Sequence, residues 1–179
     1  MPVLIIFIVG HNASGKTTLA KKLSEDLKIS RITGDDFLDF IKQNVAYYSD
    51  LDISYPNDKY TSLKQLKVDY RNLLTVALIK QNQSVIFDAS GHTKQSRDQY
   101  IASFHQMPEV KTLIIWAYAT KAELLQRLGA RENQHSNWLK QYREKGPFEP
   151  PLDSEADVVL RFDQSNYDDI KNMIQELLG

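Results

Sequence analysis

An unbroken apolar run, VLIIFIV at residues 3 to 9, stops at a glycine and gives way at once to HNASGKTT. A short run of large, mostly β-branched residues bounded by a turn signal predicts a strand buried on both faces, and buried strands of this kind belong to parallel sheets. The run is too short to span a bilayer, and it carries neither a basic leader nor a small-residue cleavage site. The letters that follow, GHNASGKT at 10 to 17, fit G-x-x-x-x-G-K-[ST], with Gly10, Gly15, Lys16 and Thr17 in the fixed positions of a phosphate-binding loop. Glycines let the backbone curl until successive N–H groups converge on an anion, and the following helix adds its positive N-terminal end. Lys16 is expected to reach the β and γ phosphates and Thr17 to ligate Mg²⁺. The stretch KTTLAKKLSEDL supplies that helix, since Leu19, Leu23 and Leu27 recur on one face.

Further apolar runs at 29 to 33, 84 to 89, 110 to 119 and 156 to 162 predict four more strands buried on both faces. Helical patterns lie between and after them, near 36 to 46, 62 to 81, 94 to 105, 120 to 130, 134 to 145 and 166 to 178. Strand and helix alternating along the chain imply an α/β protein with a mostly parallel sheet covered on both sides. Ligands of such sheets sit beyond the carboxyl ends of the strands. Gly10, Asp35 and Asp88 all fall at or just after such an end, so one edge gathers the chemistry.

A chain of 179 residues without a long linker predicts one domain over 1–179. Its net charge of −1 supplies no global field for nucleic acid or membrane, although a local basic groove is compatible with it. There is no cysteine, which excludes disulfide and thiol chemistry and suits a reducing cytoplasm, the expected location. No membrane partner is expected.

Asp35 and Asp36, in RITGDDF, follow the second predicted strand. Asp35 is the candidate base that accepts a proton from an acceptor hydroxyl as it attacks phosphorus, and Asp36 a substrate or metal-water contact. The plainer alternative makes Asp35 the cap of the next helix. Asp88, ending SVIFD, is positioned to hold Mg²⁺, directly or through water, or to meet substrate. Arg127 and Arg131, four apart on one helical face, precede Lys140, Arg143 and Lys145, a pattern suited to a lid that brings guanidinium to the transferring phosphoryl group. The tyrosine-rich stretch from Tyr47 to Tyr60 is expected to form a loop. His11 and Asn12 are expected to face phosphate or substrate by position, while the histidines show no metal-ligand spacing. DASG followed by TKAE suggests a GTPase switch, but Glu123 stands where that motif requires aspartate, and the chain from Gly10 to Asp88 is too long for a compact switch segment.

Taken in order, GHNASGKTT, TGDDF, SVIFDASGHTKQSRDQYI, LLQRLGARE and FEPPLDSEADVV resemble the small P-loop kinases of the polynucleotide 5′-hydroxyl kinase and zeta-toxin type. Chloramphenicol phosphotransferase and the adenylate-kinase-like enzymes are more distantly similar. The resemblance implies a three-layer α/β/α fold with a five-stranded sheet in the order 2-3-1-4-5 and a helical lid over about 127–150. It also implies ATP as donor with Mg²⁺, bound by Gly10, His11, Asn12, Ala13, Ser14, Gly15, Lys16, Thr17 and Thr18, and γ-phosphate transfer to a hydroxyl. Lys16, Asp35 and Arg131 would be catalytic, Arg127 would lie near the adenine ring, and Asp88 would be the strand-three acid. Where polynucleotide kinases carry an arginine three residues beyond the first aspartate, this chain has Leu38. That departure moves the expected acceptor from nucleic acid toward a small metabolite, nucleoside or sugar. A polynucleotide 5′-hydroxyl remains the alternative acceptor, and a nucleotide-dependent switch the alternative class.

Overall fold

The computed structural model describes residues 2–48, 58–102, 104–130 and 148–179. Its strands are β1 (Val3–Val9), β2 (Ser30–Thr33), β3 (Val85–Asp88), β4 (Val110–Ala117) and β5 (Val158–Phe162). Its helices are α1 (Lys16–Leu27), α2 (Gly34–Asn44), α3 (Asp58–Ile79), α4 (Lys94–Ile101), α5 (Lys121–Gly129) and, C-terminally, α6 (Tyr167–Leu178). The strands pair in parallel in the order β2-β3-β1-β4-β5, as expected from the resemblance.

The apolar run is the middle strand because it alone can be covered everywhere: every residue of β1 is buried. Side chains alternate across a strand. Leu4, Ile6 and Ile8 therefore enter one core with Leu19 and Leu23 of α1 and Ile170 and Ile174 of α6. Ile5, Phe7 and Val9 enter the other with Ile79 of α3, Phe87, Ile101 and Phe104. A smaller cluster of Phe37, Ile41 and Leu63, with Leu38 packed on it, joins α2 to α3. The edge strands depart from the expected burial on both faces. β5 is mostly half-buried and β2 starts exposed, because each has a neighbour on one side only.

Several boundaries shift. α2 begins at Gly34, earlier than expected, because Thr33 caps it, its hydroxyl accepting from the Asp35 amide at 3.2 Å. Tyr47 lies in a short 3₁₀ turn and the chain is helical again from Asp58, so the expected loop from Tyr47 to Tyr60 is shorter than its sequence suggests. Its centre, and the polar helix expected near 134 to 145, lie outside the described residues. No helix among the described residues is long and apolar enough to cross a membrane.

The loop after β3 and the segment leading into β5 are locked together by Arg97, which is 1% exposed. Its guanidinium forks onto Glu155, Nε to Oε2 at 2.6 Å and Nη2 to Oε1 at 3.0 Å. The remaining N–H groups donate to the carbonyls of Gly91, Glu149 and Pro150 at 2.9, 2.8 and 3.4 Å. All five guanidinium donors are thus engaged.

Candidate active site

Between Val9 and Lys16 the chain doubles back at the end of the central strand, and three of its residues adopt positive φ: Gly10 at 149°, Ala13 at 66° and Gly15 at 98°. A Cβ on Gly10 would stand 2.5 Å from the carbonyl oxygen of Ala117 and 2.9 Å from Ser14 Oγ, so glycine is obligatory there. Substituting alanine at Gly10 is expected to destabilise the fold by about 1–3 kcal/mol from backbone strain alone, before the clash is added. A chemical denaturation curve measures the loss.

The helix that follows is prepared for an anion. α1 has Gly15 at its cap with no side-chain hydrogen bond and no acid in its first turn, whereas α2, α5 and α6 each carry acids there. Its positive end and first amides are left to a ligand. The Lys16 ammonium donates to the His11 carbonyl at 2.8 Å, which holds it across the loop. Ser14 Oγ is buried with no hydrogen-bond partner among the described residues.

Beside this loop lies a cavity of about 520 Å³, lined by Asn12, Ala13, Gly15, Lys16, Thr17 and Thr18 on one wall and by Asp35, Lys67, Arg71, Asp88, Tyr70 and Tyr100 on the others. The first strand, the second strand's end and the third strand's end thus contribute to one chamber, as the edge rule requires. Asp35 is in the first turn of α2 with its side chain 89% exposed, and its carboxylate is 4.0 Å from the Lys67 ammonium. The capping alternative is excluded because Thr33 holds that position. Asp88 is enclosed, its side chain 7% exposed, with Oδ2 3.5 Å from Arg31 Nη1. The other amino group of Arg31 donates to Asp36 at 2.8 Å. Asp36 is therefore held by Arg31 and is not among the cavity's lining residues.

His11 contributes its carbonyl to the loop, accepting from the Ser14 amide at 3.1 Å and from the Lys16 ammonium at 2.8 Å. Its buried ring packs edge-on to His92, 5.6 Å between centroids, and lines a separate 280 Å³ hollow with Trp116, Tyr118 and Phe148. Arg127 donates to the carbonyls of Ala13 and Ser14, both at 3.3 Å, and pairs with Glu123 at 3.5 Å. It is thus tied to the backbone of the loop. Arg131 and most of the expected lid lie outside the described residues.

Sequence reasoning missed Lys67, Arg71 and Arg31. The first two are four apart in KVDYR, one helical face, which is the signal that could have found them. Lys67 passes directly over Gly34: a Cβ there would lie 1.7 Å from its Cε. A side chain at 34 would displace Lys67 from the cavity wall.

Over 156 residues, 87% of this chain and 77% of its relative, the sequence is 26% identical to a "Probable gluconokinase" of Schizosaccharomyces pombe. A "putative kinase" of Chloroflexus aurantiacus superposes with a TM-score of 0.71 at 20% identity, covering 98% of this chain and 97% of that one. A sugar kinase of Janibacter sp. superposes with a TM-score of 0.64 at 14% identity, covering 99% and 95%. These structural likenesses, at identities of 20% and below, show the fold alone: a five-stranded parallel sheet with helices packed against it. The loop, the helix behind it and the strand-end acids all lie within residues 5–145, which match the model of the AAA domain family, and the chain belongs to that family.

Proposed function

We propose that this protein is an ATP-dependent kinase that transfers the γ-phosphoryl group to a hydroxyl of a small metabolite. The observation that carries the reading is the shared cavity, in which a phosphate-binding loop and a carboxylate outside that loop, Asp35, line one chamber. A switch that only hydrolyses nucleotide needs no acid beside an acceptor pocket. The relatives named gluconokinase and sugar kinase support a small acceptor.

In this reading the loop amides from Asn12 to Thr18 and the Lys16 ammonium hold the triphosphate. Among the described residues no three acids or histidines form a metal cage, so Mg²⁺ would arrive with the nucleotide. Thr17 and Asp88, both on the cavity wall, fit it with one hydroxyl and one enclosed carboxylate. When bound, Mg²⁺ neutralises charge on the β and γ phosphates. Asp35 orients the acceptor hydroxyl and takes its proton as the new O–P bond forms and the bond to the β-phosphate oxygen breaks. Arg127 keeps the loop in shape, and Arg131 would bring positive charge to the transferring group from the lid. There is little covalent work for the protein; positioning and charge carry the reaction.

The test is transfer of labelled γ-phosphate to a panel of polyols, sugars, sugar acids, nucleosides and 5′-hydroxyl oligonucleotides. Label on a small acceptor is the expected result. Label only on oligonucleotide, with binding that weakens steeply as salt rises, would replace this reading by the polynucleotide one. Hydrolysis alone, indifferent to every acceptor, would replace it by a switch.

A further inference from the structure

Five arginines fall among the described residues, and four have an evident reason to be where they are. Arg31 meets Asp36 and Asp88, Arg97 meets Glu155, Arg127 meets Glu123, and Arg161 is exposed with its guanidinium 3.8 Å over the Tyr118 ring. Arg71 is half-buried, and no carboxylate among the described residues lies within ion-pairing distance of it. Its guanidinium lies 4.3 Å from the Tyr100 ring and 5.8 Å from the Phe87 ring, and Nη2 donates to Asn72 Oδ1 at 3.3 Å. Burial pushes its pKa down from the ordinary value, with Tyr100 acting in the opposite direction. A guanidinium does not lose its proton in a protein, so its charge persists at a desolvation cost that aromatic faces offset only in part.

Position says what would complete it. α1, which begins at the phosphate loop, packs on one face of the sheet, whereas Arg71 stands on α3, whose Leu74, Leu78 and Ile79 pack on the other face with Phe87. Arg71 therefore lines the cavity from the sheet face opposite α1, one helical turn from Lys67, which itself pairs with Asp35 at 4.0 Å. We infer that Arg71, with Lys67 beside it, is a specificity-determining clamp for an anionic group on the acceptor, a carboxylate or a phosphate ester, so that the substrate is a small hydroxyl-bearing anion. This rests on the kinase reading and narrows it. The about 520 Å³ that donor tail and acceptor share leaves room for a small molecule, and a planar fork suits a two-oxygen anion.

The test uses the full chain saturated with a non-hydrolysable ATP analogue and calorimetric titration of matched ligands: gluconate against glucitol, glycerate against glycerol, and glycerol 3-phosphate against glycerol. At least one anionic member should bind tenfold or more tighter than its neutral twin, and the carboxylate and phosphate arms tell the two sources apart. Arg71→Met should lower that binding roughly ten- to a hundredfold, and Arg71→Lys should recover part of it. Thermal melts and nucleotide titrations of both variants establish that they are folded. No anionic preference in the unsubstituted protein, or a preference that survives Arg71→Met, overturns the inference. Failure of the kinase reading shows differently: anions bind with the stated preference, yet no acceptor ever receives label.

Discussion

Asp35→Asn should lower kcat by on the order of 10² to 10⁴ while leaving ATP affinity nearly intact. The structure makes this a clean substitution. Asp35 does not cap α2, since Thr33 does; its carboxylate is almost wholly exposed and, among the described residues, pairs with the Lys67 ammonium at 4.0 Å. Asparagine keeps the shape and can still hydrogen-bond a hydroxyl, but it cannot take the proton. The stability lost should be confined to the favourable interaction of one exposed acid with a helix N-terminus, about 0.3–1 kcal/mol. Steady-state turnover on an accepted substrate, nucleotide titration and a thermal melt separate the three quantities. Turnover within a fewfold of the unsubstituted protein would remove Asp35 from the role of base. Loss of activity in step with loss of fold would instead make it a structural residue.

What the sequence made legible follows the range over which each signal acts. The phosphate loop, its helix and the central strand are contiguous, so spacing and burial could be read together, and the structure keeps all three. The strand order came through resemblance across the whole chain, and the sheet has it. The start of α2 was misplaced because threonine and aspartate both cap helices well, and only the fold shows that Thr33 reaches the Asp35 amide. Position in a loop fixes an amide and not a side chain, and the His11 ring lines the second hollow, a placement that no spacing could give. The larger omission concerns charge on the cavity wall. Leu38, where an arginine was looked for, packs on the Phe37, Ile41 and Leu63 cluster, and the lining cations beyond Lys16 stand on α3 instead. An offset counted from Asp35 along α2 cannot detect a side chain that another helix delivers to the same space.

Arg97→Leu should cost about 3–5 kcal/mol of stability, the largest loss expected of any single substitution considered for this chain. The substitution removes the guanidinium that forks onto Glu155, whose side chain is 1% exposed, and leaves the carbonyls of Gly91, Glu149 and Pro150 short of a donor. For a domain of this size the loss corresponds to a fall in Tm of roughly 10 °C. In the intact protein burial works to raise the Glu155 pKa, but the hydrogen bonds from Arg97 and from the Leu152 amide outweigh it and hold the carboxyl below its ordinary value. A group depressed in the folded state stabilises fully above its unfolded pKa and stops doing so as pH falls through the folded one, so the intact protein loses this contribution in acid, beginning near pH 4. In Arg97→Leu the sign reverses, because a buried carboxyl with no cation is raised, and the variant's deficit should shrink as pH drops from 7 toward 4. Glu155→Leu added to Arg97→Leu should recover part of the stability, since an apolar pair removes the stranded charge but leaves the carbonyls unserved. Denaturation of the single and double variants across that pH range measures all three effects. A deficit that grows in acid, or a double variant weaker than the single, would mean that Arg97 acts through its carbonyl contacts rather than through the ion pair.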